Sequence, residues 1–148
     1  MELLRSERHG ELGALVAADP RVARHLVGRL WDPDARLRRA AARGLGEVAV
    51  AHPTKALEIA RGLVWALRDE AAMHGRFGIP GLGEMAAANP GLLQPLVGPL
   101  ASMLWDEGLQ DEVLRALLRM ADAAPEIVEP HLDLVRRYLG ALSDRPVA

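Results

Sequence analysis

The residues best suited to recognition chemistry in this chain are its arginines. Arg36, Arg39, Arg43 and Glu47 follow one another at steps of three and four, which places them on a single helix face. Moving 37 residues along the chain gives Met73, Arg76, Pro80 and Glu84, and 35 further gives Gly108, Asp111, Arg115 and Arg119. If these segments stack side by side, the arginines form columns edged by Glu47, Glu84 and Asp111. A guanidinium fork binds carboxylate or phosphate bidentately, so such columns suit an acidic or mixed-charge peptide. The competing reading is a solvated face whose charges pair along each helix.

A second candidate lies in Asp69–Pro80, DEAAMHGRFGIP, the stretch that departs most from the surrounding pattern. His74, Arg76 and Phe77 are its candidate ligand-binding residues, and an irregular loop in a regular array is a reasonable place for function. The plainer alternative is a distorted turn in which Phe77 fills a packing gap. Pro80 falls where a helix interior is expected, so it must kink or start a helix.

The acidic pairs Asp32/Asp34, Asp69/Glu70 and Asp106/Glu107 recur at turns. They could serve as metal ligands or acid–base pairs, but capping the following helix is the favoured reading. Arg38 is expected to bond back to its own turn. Trp31 and Trp105 share a register at the ends of two helices and are expected to cover the adjoining turns, whereas Trp65 occupies another position. The five histidines show no metal-ligand spacing, and there is no cysteine, which excludes disulfides and thiolate zinc sites. No catalytic residue, metal or cofactor is assigned, and a non-enzymatic role is favoured.

The elements that must position these residues come from a repeat. GLGEVAVAHP at Gly44–Pro53 returns as GLGEMAAANP at Gly81–Pro90 and as ALLRMADAAP at Ala116–Pro125, and ELGALVAADP at Glu11–Pro20 is a fainter copy. The closing prolines lie 33, 37 and 35 residues apart. A helical period in the thirties predicts a stacked array whose units bury their apolar faces on each other. The spacing predicts helices over 2–18, 21–31, 35–51, 54–67, 91–105, 110–124 and 126–142. Val22, Leu26, Val27 and Leu30 recur 37 residues later as Ile59, Leu63, Val64 and Leu67. The units are a partial repeat at 1–20, full repeats at 21–53, 54–90 and 91–125, and a terminal helix at 126–142. Gly44, Gly46, Gly81 and Gly83 recur at one register, which suggests close approach of neighbouring helices there.

The chain has 148 residues, half of them hydrophobic and only 3% aromatic, so its core must be mostly Leu, Ala and Val. A formal net charge of -2 gives no overall attraction for nucleic acid or anionic lipid. Nucleic acid is therefore not the expected partner, although Arg36, Arg39, Arg43, Arg76, Arg115 and Arg119 define where it would bind. The charged first ten residues do not read as a secretory signal, and no apolar run is long enough to span a membrane. The expectation is a cytoplasmic protein. Scarce lysine and asparagine fit either heat adaptation or a GC-rich genome.

LWDPDARLRRAAARGLGEV, Leu30–Val48, resembles a HEAT repeat of the bacterial type also seen in phycobilin lyases. The correspondence runs through Leu30, Asp32, Pro33-Asp34, Leu37-Arg38, Ala40-Ala41 and Leu45-Gly46. Later units depart from it, with His74-Gly75 and Leu109-Gln110 in place of Leu37-Arg38. The resemblance implies an all-α, α-α superhelix of HEAT/armadillo type, about seven helices in stacked antiparallel pairs, with second helices on the concave side. It implies an interaction scaffold more readily than chemistry. The paired His-Glu dipeptides of HEAT-type hydroxylases are missing, and the chain is slightly acidic and short for a DNA glycosylase of similar fold. A protein or peptide partner on the concave face is therefore the expectation. A bilin-lyase-like or small-ligand role at Asp69–Pro80 is the alternative. Open ends of such an array also allow self-association through the terminal helices.

Overall fold

The computed structural model of the chain describes residues 9–68 and 75–143, and every described element is helical. In chain order these are α1 (His9–Ala18), α2 (Val22–Arg29), α3 (Ala35–Ala51), α4 (Pro53–Ala66), α5 (Ile79–Ala88), α6 (Pro90–Ala101), α7 (Gln110–Ala123), α8 (Pro125–Val128) and α9 (Leu132–Ser143). Short 3-10 turns lead into α5 (Arg76–Gly78), follow α6 (Ser102–Trp105) and join α8 to α9 (Glu129–His131).

Prolines set the breaks. His52, Asn89 and Ala124 each precede a proline and leave the helical region with nearly the same backbone, φ/ψ of -136/69°, -143/77° and -151/82°. The residue before proline is pushed out of the α region, while proline itself is well placed to start the next helix. One dipeptide thus ends a second helix and begins the next first helix.

The helices pack in two rows. α3 lies against α1 and α5, and α5 against α7, while α4 lies against α6 and α6 against α8. Contacts of α3 with α4, α5 with α6 and α7 with α8 join the rows. Between them sits one apolar core containing Leu26, Leu30, Leu45, Leu63, Leu67, Leu82, Leu100, Leu104 and Leu117. The repeating glycines mark where helices of one row touch. A Cβ at Gly46 would stand 3.2 Å from the Glu84 carbonyl oxygen, and one at Gly83 would stand 3.3 Å from Ala116 Cα. Gly44 and Gly81 instead accommodate leucine side chains, Leu26 and Leu45 respectively.

Several expectations need correction. The closing segment is not one helix over 126–142: Pro130 lies in the Glu129–His131 turn, which divides α8 from α9. The expected helix 91–105 is α-helical only to Ala101 and tightens into the 3-10 turn beyond it. Pro95 and Pro99 sit inside α6, where each removes a backbone donor. Trp31 is half-buried against the core, but Trp105 at the same register is 69% exposed. Of the two roles expected for Pro80, kinking or starting a helix, it has the second, lying in the first turn of α5.

The turn acids behave locally. Asp34 caps α3 by accepting from Arg36 N at 2.9 Å, and Asp32 Oδ1 accepts from Asp34 N at 2.8 Å. Asp106 repeats the Asp32 turn, accepting from Gly108 N at 3.0 Å, and does not cap α7. Asp69 and Glu70 lie outside the described residues.

Candidate functional site: an arginine-walled groove on the second-helix row

α3, α5 and α7 present a groove of about 560 Å³ on the side away from the first-helix row. Arg39 and Arg43 of α3 form one wall, and Arg115 and Arg119 of α7 form the other. Pro80 and Gly83 of α5, with Ala42 and Ala116, lie between them. Arg38, Arg76 and Phe77 are at one end, and Glu84 is at the other.

Helical phase explains the placement. The apolar stripes of α3 and α7 face the first helices, so residues opposite those stripes must point outward. Arg39, Arg43, Arg115 and Arg119 are accordingly exposed while Ala41, Leu45, Leu114 and Leu117 are buried. The middle helix contributes the short residues Pro80 and Gly83 to this face. That leaves a trough between two rows of long side chains.

The arginines differ in how firmly they are held. Arg119 binds Glu84 through both nitrogens, Nε to Oε1 at 3.3 Å and Nη2 to Oε2 at 3.2 Å, joining α7 to α5. Arg38 donates from Nη1 to the Asp32 and Pro33 carbonyls at 2.8 and 3.1 Å, the back-bond expected from the sequence. Its guanidinium carbon also lies 5.4 Å from the Phe77 ring centre, with that of Arg76 at 5.0 Å. Cation–π contacts of this kind contribute about 0.5–1 kcal/mol at exposed sites, enough to orient Phe77 and Arg76 together. Among the described residues, neither Arg39 nor Arg115 is in an ion pair.

Six arginines and two glutamates, Glu84 and Glu112, line the groove of a chain whose formal net charge is -2. Positive charge is therefore concentrated here, and low-dielectric walls focus such a field. The site can grip oxyanions from two sides and hold an apolar group between them.

The structure brings together Arg39, Arg43, Arg76, Glu84, Arg115 and Arg119 from the sequence-predicted face, together with Phe77 of the loop site. Glu47 lines an adjoining hollow with Arg43, Glu84 and Arg119. Arg36 and Asp111 are exposed in the first turns of α3 and α7 and line neither hollow. His74 lies outside the described residues. Arg38 and Glu112 also line the groove. Arg38 was legible only as a turn residue, and the signal for Glu112 was its position next to Asp111 on the same exposed turn.

Among the described residues no helix is long and apolar enough to cross a membrane. No protein-family model matches the chain, and neither a curated protein nor a solved structure shows significant similarity to it.

Proposed function

We propose that the chain is a HEAT-like α-solenoid acting as a protein-interaction scaffold, and that it binds an acidic segment of a partner protein in the second-helix groove. The observation that supports this most is the gathering of arginines from α3, from α7 and from the turn before α5 around one trough. Two paired helix rows and a period of 33 to 37 residues are what a small solenoid requires. A small-ligand or lyase-like role for Asp69–Pro80 would use the same place, because Arg76 and Phe77 line this groove.

A fluorescein-labelled glutamate-rich peptide titrated with the protein tests the reading by anisotropy. Replacing Arg39, Arg43 and Arg115 together by glutamate is expected to weaken binding by more than about tenfold, since attraction becomes repulsion at three points. Circular dichroism must show that the variant stays helical. Equal binding by the folded variant removes the groove as the binding surface.

A further inference from the structure

The groove has a row structure that narrows the kind of segment it fits. Arg43, Pro80 and Arg115 occupy equivalent positions of α3, α5 and α7, 37 and 35 residues apart. The helix contacts set their levels. Gly46 of α3 lies against Glu84 of α5, so Arg43, three residues earlier, stands beside the first turn of α5 that holds Pro80. Gly83 lies against Ala116, which brings Arg115 to the neighbouring turn. Across the groove the order is cation, apolar surface, cation. The next row is Glu47, Glu84 and Arg119, and its Glu84–Arg119 ion pair at 3.2 Å demonstrates that side chains in a row meet across helices.

The spacing matches an extended peptide. Adjacent helix axes stand about 8–10 Å apart, so the outer helices of three are about 16–20 Å apart, and long arginines on both walls shorten the gap. In an extended chain, residues i, i+2 and i+4 share a face and span about 13 Å. Acids at i and i+4 would reach the two walls while the residue at i+2 settles on the Pro80 and Gly83 floor.

Building on the proposed function above, we infer that the groove selects an extended segment of the pattern acid–x–apolar–x–acid lying across α3, α5 and α7. Repeated phosphates fit less well. Glu84 and Glu112 sit within the lining, and Phe77, the ring a base would stack on, is already engaged by Arg38 and Arg76.

The test uses the full chain and three short peptides of equal charge: Glu-Ala-Leu-Ala-Glu, Glu-Ala-Gln-Ala-Glu and Glu-Glu-Leu-Ala-Ala, each flanked by glycines. The first is expected to bind about tenfold tighter than the others, because only it places both acids on the walls and an apolar group on the floor. Pro80→Glu should abolish its advantage, and an acid is tolerated at a helix start. Pro80→Ala is the folding control and should keep the advantage. Equal affinities for the three peptides overturn the pattern and leave the groove as a general acidic-segment site. If no peptide binds, or Arg43→Glu/Arg115→Glu changes nothing, both readings fall. A single-stranded oligonucleotide binding tighter than every peptide overturns the pattern in favour of a nucleic-acid surface.

Discussion

Pro20 and Pro53 have no N–H to offer, so the carbonyls of Val16 and Ala49, four residues earlier, lose their helical donors. His52 Nε2 lies 2.7 Å from Val16 O, and Asn89 Nδ2 donates to Ala49 O at 2.9 Å. The residue before each proline thus supplies the donor that the previous repeat's proline lacks. At the next rung the corresponding residue is Ala124, which has no side-chain donor for Ala86. Losing one of these bonds leaves a partly buried carbonyl unsatisfied, so Asn89→Ala and His52→Ala are each expected to cost about 1–3 kcal/mol, read by urea unfolding. A second residue-scale prediction concerns Asp19. Arg21 donates to it from Nε, Nη2 and the backbone N at 3.0, 3.1 and 2.9 Å, and these bonds hold its carboxyl below the ordinary 3.8. A lowered folded-state value means stability that is present above 3.8 and lost as pH falls through the folded value. Acid-unfolding curves of the protein and Asp19→Asn should converge at the lowest pH and separate above it.

The helix rows turn glycine positions into measurable contrasts. Gly62 in α4 has nothing within 4 Å of an added Cβ, so Gly62→Ala is expected to stabilise the protein by about 0.5–1 kcal/mol through helix propensity alone. Gly46→Ala gains the same propensity but drives a methyl to 3.2 Å from a backbone oxygen of α5. Backbone cannot swing aside as a side chain can, and overpacking costs about 1–3 kcal/mol, so the net effect should be destabilising. Thermal melts of the two variants check this, and a gain from both would mean that α3 and α5 pack less closely than described. At the end of the row, Leu118 of α7 takes the register of Gly46 and Gly83 and is 48% exposed. The requirement for glycine therefore belongs to the helix–helix contact and not to the helix itself.

For the molecule as a whole, the two rows separate two surfaces. The groove is on the second-helix row, whereas Trp65 in α4 and Trp105 in the turn after α6 are each 69% exposed and line neither hollow. Acrylamide should quench both in the free protein, and groove-bound peptide should leave that quenching unchanged. Protection of these tryptophans by the peptide would show that ligand reaches the other face. Peptide affinity should also fall as salt rises, because the exposed arginines act through a screened field. A salt-independent affinity would point to the apolar floor as the main source of binding.

The helical class, the breaks at Pro20, Pro53, Pro90 and Pro125 and the buried leucine stripes were legible in the sequence, because they follow from local backbone chemistry and from periodicity along one chain, whereas the break at Pro130 was not. So was the sharing of one face by the arginines, since helical phase depends only on spacing. Stacking of the helices was needed to show that Arg39, Arg43, Arg76, Arg115 and Arg119 surround one trough, that Arg38 and Glu112 join them, and that Arg36 and Asp111 do not. The same holds for Trp105 being open while Trp31 is half-covered, and for His52 and Asn89 reaching back to an earlier helix. The physical reason is common to all of these. A residue's phase on its own helix is set locally, but what it meets depends on how closely and at what level the neighbouring helix is stacked, and contacts such as Gly46 on Glu84 set that level only in the folded chain.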